Sequence, residues 1–517
     1  MFLMLREMLA HSRLWENLAT MPTFTSTRQS QALFTARMAA SLERLGSEWG
    51  LSLTTEKPYF MDVHEAYNRK IITKPNVVVL GDYDSGKSAF CKLQLIRPAL
   101  RAGKRVAVFD RKSQQDRSRN MTGGEYQRLG AVEHGAYVVF DRRSSKGCHI
   151  NILDPVLDVI GSDDEDTGMV GQDELLKMLA ELGLEASLAS LPNGLRCLRA
   201  AHAAALRAAR AAGRIATLED VVHALYTPTE QSLPGPVDEE GVKVVQRAGV
   251  ASLKDMVTWG LPVADALERF LPGGDMSGLF DGPTRSADGG PIDLSNPLLI
   301  FDTSALGEGS LALTAVIMVA TAWLQASWMR IPGQKLLFFE ENYNTDLMPA
   351  VSAVQRAIVK RGRASGTVVV CVYHHLSDLK EGSDLWSTVR ETDFVVCFQQ
   401  SRDDDVVMAM NFFNLPEKLR DVLPTLQQGV AVVKVGSRPI EIVQMFRTQT
   451  GMWITDTDEA MSALTDNDEA EGIAAAGGPE DEVWPDETPD MADDGYSTPD
   501  PDRLVPAGAP EGARHGI

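Results

Sequence analysis

Cysteine is scarce in this 517-residue chain, and its pattern excludes two kinds of scaffold. The five cysteines occur singly, without a C-x-x-C pair and without a histidine at metal-ligand spacing: Cys91, Cys148, Cys197, Cys371 and Cys397. Their spacing argues against a disulfide framework and a cysteine-rich zinc module, and it indicates a reducing cytosol. Each cysteine is expected to be a small core residue.

Long apolar runs are also missing. The most apolar stretches, residues 311–324 and 1–9, are too short to cross a bilayer, and the second contains Arg6 and Glu7. No small-residue cleavage site follows residues 1–9, so no signal peptide is predicted. That segment could form a face for a membrane surface or a partner, and a helix packed on its own domain is the alternative.

Basic residues are outnumbered, and the imbalance lies mostly in one segment. The net charge is −21, and residues 456–517 contain 18 acidic residues against two arginines, a net −16, which leaves −5 for the rest. This acidic tail has few aromatic residues and is predicted to be disordered. The charge of the whole chain therefore says little about what the folded part contacts.

A phosphate-binding motif directly follows a short apolar strand, residues 76–80. The next eight residues read G-x-x-x-x-G-K-S in full. In this motif a buried strand ends in a loop whose backbone N–H groups wrap a polyphosphate at the N-terminus of a helix. Lys87 is expected to reach the β- and γ-phosphates, and the Ser88 hydroxyl to bind Mg²⁺. The predicted ATP-binding residues are Gly81, Asp82, Tyr83, Asp84, Ser85, Gly86, Lys87, Ser88 and Ala89. A strand-to-helix turn that only happens to contain Gly-Lys-Ser is the alternative.

Short apolar strands that end in polar residues recur along the chain. With helices between them, they predict a doubly wound α/β fold whose ligands lie beyond the carboxyl ends of the strands. The predicted strands are 76–80, 105–109, 136–140, 298–301, 335–339, 366–372 and 394–398, and 429–435 with 440–446 form a closing hairpin.

Helical periodicity interrupts this pattern in the middle of the chain. Ala- and Leu-rich helices are predicted at 173–184, 195–212 and 218–226, and an apolar helix at 310–330. The predicted organisation is a helical N-terminal segment (1–57), a first core part (58–155), an all-α insertion (156–270), a second core part (271–455) and the acidic tail (456–517).

Two acidic residues follow the predicted strand 335–339. This strand is expected to lie beside the strand that leads into the phosphate loop. Glu340 is predicted to hold Mg²⁺, and Glu341 to be the base that orients water. His374 and His375 end the next strand. His374 could sense the γ-phosphate, and His375 could equally be a core or surface residue. Arg361, with Arg363, could donate to the γ-phosphate of a neighbouring subunit, or it could mark an exposed basic helix end.

The ordered motifs resemble one family of proteins. The set GDYDSGKS, VFDRK, NILDP, LIFDTSA, LLFFEE, KRGRASG and YHHLSDL is similar to the conjugation-associated ATPases of type IV secretion systems, in the HerA/FtsK superfamily. The resemblance covers residues 58–447 and implies a P-loop NTPase (RecA-like) core. It also implies a ring hexamer with ATP at the subunit interfaces, and a motor for assembly of, or transport through, a conjugation channel at the inner membrane.

The chain departs from that family in four places. The family usually has Asp-Glu where this chain has Glu340-Glu341, and often Gly-Glu after the second strand, where this chain has Ser113-Gln114. It commonly has Gln at the position of His374. Its large N-terminal domain is reduced here to about 70 residues.

Three functions follow as hypotheses. The first is an ATP-hydrolysing motor, located in the cytoplasm or held at the inner face of the membrane by its channel partners. The second is a hexameric DNA translocase or coupling protein, although no basic stripe or aromatic platform for DNA is evident in the sequence. The third is a nucleotide-dependent scaffold that does not hydrolyse ATP.

Overall fold

A computed structural model describes most of the chain between residues 44 and 455. The predictions for residues 1–43, for Glu341, Arg361 and Arg363, and for the acidic tail lie outside the described residues. The described ranges are 44–116, 121–142, 147–158, 170–232, 252–307, 310–340, 365–379 and 381–455.

One large mixed sheet organises the described residues. Its central strands are continuous apolar runs, as expected for strands covered by helices on both faces. Eleven strands form this sheet, and β5 and β6 form a separate hairpin. The strands are β1 (Ser47–Ser52), β2 (Lys57–Met61), β3 (Asn76–Leu80), β4 (Arg105–Asp110), β5 (Ser113–Asp116), β6 (Met121–Gly124), β7 (Ala136–Val139), β8 (Leu298–Asp302), β9 (Lys335–Phe339), β10 (Thr367–Tyr373), β11 (Phe394–Cys397), β12 (Val430–Val435) and β13 (Glu441–Met445).

The order of the strands across the sheet is β2-β1-β13-β12-β11-β3-β10-β9-β4-β8-β7. The strands from β11 to β7 in this order are parallel, whereas β12, β13, β1 and β2 pair antiparallel. The carboxyl ends of β3, β10, β9, β4 and β8 therefore meet at one edge, the carboxyl edge. The predicted doubly wound fold and its closing hairpin are confirmed.

Helices cover both faces of the sheet. The predicted helices at 173–184, 195–212 and 218–226 are confirmed to within one residue at each end. The helices are α1 (Val63–Asn68), α2 (Lys87–Phe90), α3 (Arg97–Arg101), α4 (Gln127–Val132), α5 (Gln172–Leu184), α6 (Gly194–Ala211), α7 (Leu218–Tyr226), α8 (Leu253–Glu268), α9 (Leu311–Met329), α10 (Asp384–Arg390), α11 (Asp403–Phe412) and α12 (Gln449–Thr455).

Two hydrophobic cores lie on opposite faces of the sheet. One core contains buried side chains of α5 to α9, and the other contains those of the helix that follows the phosphate loop. That helix is continuous, with α2, a π-helical segment (Cys91–Ile96) and α3 in succession, and we call it the P-loop helix. All five cysteines are buried and free, as expected for core residues.

Helix α9 is long and apolar enough to cross a membrane by length and composition. Among the described residues it is the one helix that meets this test, and 94% of its window Leu311–Trp328 is buried within the fold. Its sequence is apolar all round, which is typical of a helix buried in a large core.

The prediction of helix up to residue 57 is wrong for the described end of that segment. Ser47–Ser52 is strand β1, which pairs with β2 and with β13, almost 400 residues later in the chain. Trp49 packs edge-on against Phe90 of the P-loop helix, with 4.9 Å between ring centroids. The local sequence does not indicate this strand, because its pairing partner β13 is so distant in the chain.

Candidate functional site

The phosphate loop, residues 81–88, joins β3 to the P-loop helix at the carboxyl edge. Gly86 has φ +103°, a conformation that L side chains rarely adopt, and a Cβ there would lie 3.1 Å from the backbone nitrogen of Gly429. The next residue, Lys87, begins the helix. The predicted strand, turn and helix are thus present in the order that the motif requires.

Hydrogen bonds from backbone N–H groups fix the loop against the strands on one side of it. The Asp82 N–H donates to the Gln399 carbonyl (2.9 Å), and the Ser401 N–H donates to the Asp82 carboxylate (2.6 Å). The Gly429 N–H, just before β12, donates to the Ser85 carbonyl (3.0 Å). The loop therefore has a defined shape, set by the connections that follow β11 and precede β12.

The Lys87 ammonium is buried inside the loop. Its Nζ donates to the carbonyls of Gly81 (2.5 Å) and Asp82 (2.6 Å) and lies 3.1 Å from Nδ1 of His374. Burial, helped by the charge of Lys112, lowers the pKa of Lys87 to about 8. A cation removed from water in this way is compensated when a phosphate comes within reach.

His374 and Tyr83 lie on the same side of the loop as Lys87. His374 is buried at the end of β10, and the exposed ring of Tyr83 stacks on it with 4.0 Å between centroids. The neighbouring His375 is held by the buried carboxylate of Asp405 (2.8 Å). His374 is thus in contact with the group expected to bind phosphate, and its role as a sensor stays a prediction.

Glu340 follows β9 at the carboxyl edge, but β9 is not next to β3. Strand β10 lies between them and pairs with both, so the expectation of adjacent strands is wrong. Strand β9 therefore lies one strand spacing, about 4.8 Å, farther from β3 than expected. All three strands are parallel. Glu340 is buried, and its charge acts to raise the pKa of Lys87. The two residues therefore lie at the same edge of the sheet, close enough for their charges to interact.

Glu125 is a site residue that the sequence reasoning missed. The Ser88 hydroxyl lies close enough to its carboxylate to act to lower the pKa of Glu125. Lys92 of the P-loop helix forms a buried ion pair with it (3.3 Å), and Lys112 lies 3.5 Å from its other oxygen. A Gly-Glu pair is therefore present after the second strand, eleven residues later than Ser113-Gln114, because the β5–β6 hairpin intervenes.

Two aspartates at the ends of β4 and β8 place Glu125. The Tyr126 N–H donates to Asp110 (2.7 Å), and the Gly124 N–H donates to Asp302 (3.1 Å). A Cβ at Gly124 would lie 2.0 Å from the Asp110 carboxylate, so glycine is required there. These bonds hold Glu125 over the sheet edge, where it faces Ser88.

The two glutamates titrate in opposite directions. Burial opposes ionisation of Glu125, but the charges of Lys92 and Lys112 outweigh it and lower its pKa to about 2. Burial, reinforced by the charge of Glu125, raises the pKa of Glu340 to about 7. The Tyr126 hydroxyl donates a hydrogen bond to Glu340. Near neutral pH the Glu125 carboxylate is thus charged, whereas Glu340 exchanges a proton.

The oxygen donors at this edge of the sheet are of the type that fits a magnesium ion bound with nucleotide. Magnesium prefers hard oxygen ligands and usually takes only one or two from the protein, with phosphate and water completing its shell. The Ser88 hydroxyl and the Glu340 carboxylate are of this type, and Glu125 adds negative charge close by.

Magnesium binding should therefore release a proton from Glu340. We expect close to one proton per site at about pH 6 and almost none at about pH 8.5, since the carboxylate must ionise to bind the metal. Calorimetry with saturating nucleotide in buffers of different ionisation enthalpy measures this number. Phosphates also titrate near neutral pH, so Glu340→Gln supplies the baseline. Equal proton release by wild type and variant would contradict the assignment.

Comparisons with known proteins agree with this fold. No family model and no curated protein sequence matches the chain. Among solved structures, VirB4 of Thermoanaerobacter pseudethanolicus matches with a TM-score of 0.57 and 16% identity, over 79% of this chain and 98% of that one. The plasmid coupling protein TrwB, in complex with a GTP analogue, matches with a TM-score of 0.46 and 14% identity, over 80% and 92% of the two chains. The chain therefore shares its fold with the VirB4 structure.

Proposed function

We propose that this protein is an ATP-hydrolysing P-loop motor. The observation that carries the proposal is that Lys87, Ser88, Glu340 and Glu125 meet at the carboxyl edge of the sheet, although 253 residues separate the first from Glu340. A loop that only joins a strand to a helix needs neither a buried lysine nor two buried carboxylates beside it. Buried charges are costly, and they are retained where a ligand compensates for them.

Each residue has a distinct part in the proposed chemistry. Lys87 binds the β- and γ-phosphates and neutralises charge as the γ-phosphoryl group passes from ADP, the leaving group, to water. Ser88 and Glu340 would hold Mg²⁺, which would polarise the phosphate oxygens when bound. Glu125 is proposed to orient Ser88 by accepting a hydrogen bond from its hydroxyl, which acts to lower the pKa of Glu125. Glu341, next in the chain, is proposed to orient the attacking water as a general base.

The cellular setting is proposed from the family resemblance of the motifs, and the fold shared with VirB4 supports it. On this proposal the chain forms a homo-hexamer in the cytoplasm, with Arg361 of one subunit reaching the nucleotide of the next. Channel proteins of a conjugation or secretion apparatus would hold the ring at the inner face of the membrane. The proposed ATPase core consists of residues 58–155 and 271–455 and does not include the acidic tail.

Mass and turnover measured together test this proposal. We expect nucleotide to increase the mass of the full-length protein, measured by light scattering, and assembly to accompany phosphate release. Glu341→Gln should lower phosphate release by at least about 100-fold, whereas Glu391→Gln, at an exposed carboxylate on the opposite edge of the sheet, should not change it.

Other results of the turnover and binding measurements would favour a different function. Turnover that requires DNA, with binding that weakens steeply as salt rises, would favour a DNA translocase. Tight ATP binding without hydrolysis in any assembly state would favour a nucleotide-dependent scaffold. Turnover unchanged by Glu341→Gln would refute the role of that residue.

A further inference from the structure

An exposed aromatic side chain lies at the same edge of the sheet as the phosphate loop. Phe446 follows β13 directly and is 48% exposed, whereas the preceding Met445 belongs to the core. Strand β13 runs in the same direction as β3, because β11 is parallel to β3 and two antiparallel pairings follow, β11 with β12 and β12 with β13. Phe446 therefore emerges at the carboxyl edge.

The backbone of Phe446 is fixed on both sides. Its N–H donates to the Trp49 carbonyl (3.0 Å), and its carbonyl accepts from the side-chain amide of Gln94 in the P-loop helix (2.7 Å). The Met445 N–H donates to the carbonyl of Gly429 (2.8 Å), and the N–H of Gly429 donates to Ser85. Phe446 is thus connected to the phosphate loop by two successive backbone hydrogen bonds.

The position of the phosphate-binding groups gives the direction of the nucleotide. Lys87, Glu340 and His374 lie towards β10 and β9, so the γ-phosphate and metal belong on that side of β3. The nucleoside must then extend to the other side, across β11 and β12. Phe446 lies three strand spacings from β3 in that direction, about 14 Å, a span comparable to an extended nucleoside triphosphate.

We infer that Phe446 is the platform on which the base of the bound nucleotide stacks, and that purines are favoured. The inference rests on the proposed nucleotide site and assigns the residue of that site that recognises the base. A phenyl ring offers a flat apolar face, and purines present a larger π-surface to it than pyrimidines do. Exposure of Phe446 next to a built phosphate site is explained by this role.

The test compares ligands with and without a base. Dissociation constants of ATP, CTP and inorganic tripolyphosphate, each with Mg²⁺, are measured by calorimetry on the full chain. Phe446→Ala is expected to weaken ATP binding about tenfold, to narrow the difference between ATP and CTP, and to leave tripolyphosphate binding unchanged. Phe446→Tyr keeps the ring and should bind ATP as wild type does. Met452→Ala, at an apolar side chain that is 55% exposed, is the matched control.

Tripolyphosphate separates this inference from the proposed function. If Lys87→Ala abolishes binding of both ligands and Phe446→Ala weakens neither, the inference is overturned and the nucleotide site stands. Equal losses of ATP and tripolyphosphate in Phe446→Ala would also overturn it, since they would indicate a structural role. If wild type binds neither ligand, the proposed function fails and the inference fails with it.

Discussion

Replacing Lys87 with alanine is expected to lower ATP turnover by at least about 100-fold, because an electrostatic contact to the transferred phosphate is lost. Nucleotide affinity should fall as well. The free energy of unfolding should change little. Burial lowers the pKa of Lys87 to about 8, which shows that the buried charge is itself unfavourable to folding. Phosphate release and thermal unfolding of the variant measure the two effects.

Lys74→Ala is the matched control for this substitution. It removes the same charge near the other end of β3, at a side chain whose partner Glu391 is exposed. We expect turnover close to wild type. Wild-type turnover in Lys87→Ala, or an equal loss in both variants, would show that the buried lysine does not bind the reacting phosphates.

Replacing Glu125 with alanine is expected to destabilise the protein by about 3–5 kcal/mol, because the ammonium of Lys92 is left buried without its partner. Lys92 and Glu125 side chains are 1% and 4% exposed, and the Lys92 Nζ also lies 5.0 Å from the centre of the Tyr126 ring. Glu391→Ala, which breaks an exposed ion pair, should cost at most about 1 kcal/mol. Denaturant unfolding measures both values.

A double variant separates the charge from the shape of this site. Lys92→Met together with Glu125→Gln removes both charges at similar volume and should recover most of the stability lost in Glu125→Ala. Turnover should stay low, because Ser88 has lost the carboxylate that orients it. A Glu125→Ala variant no less stable than Glu391→Ala would refute the buried ion pair.

The pH dependence of this ion pair has a definite sign. The pKa of Glu125 in the folded protein, about 2, lies below its ordinary value of 4.5. Its contribution is therefore fully present above about pH 4.5 and is lost as the pH falls towards 2. Glu125→Gln should be less sensitive than wild type to acid in that interval.

Local sequence was sufficient for the phosphate loop and for the ends of the strands. The four apolar residues before Gly81 and the motif after it define a strand, turn and helix without reference to the other parts of the chain. Glu340 was found for the same reason, since a polar residue directly after a buried strand lies at the carboxyl edge of a parallel sheet. These features depend on neighbours in sequence.

The features that were missed depend on distant pairings. Strand β10 enters between β3 and β9, and only the hydrogen-bond register shows this order. Glu125 is separated from β4 by the β5–β6 hairpin, which moved the Gly-Glu pair away from its expected position. The pair Gly124-Glu125 was visible in the sequence, but the backbone hydrogen bonds to Asp110 and Asp302 that position it were not.

The position of the metal relative to Ser88, Glu340 and Lys87 is the decisive observation for the proposed site. Crystals grown with Mn²⁺ and a non-hydrolysable ATP analogue would locate the ion by its anomalous scattering. We predict one peak between the Ser88 hydroxyl and the Glu340 carboxylate, with the phosphates against Lys87. A nucleotide bound away from Lys87, or a metal that contacts neither Ser88 nor Glu340, would contradict the account.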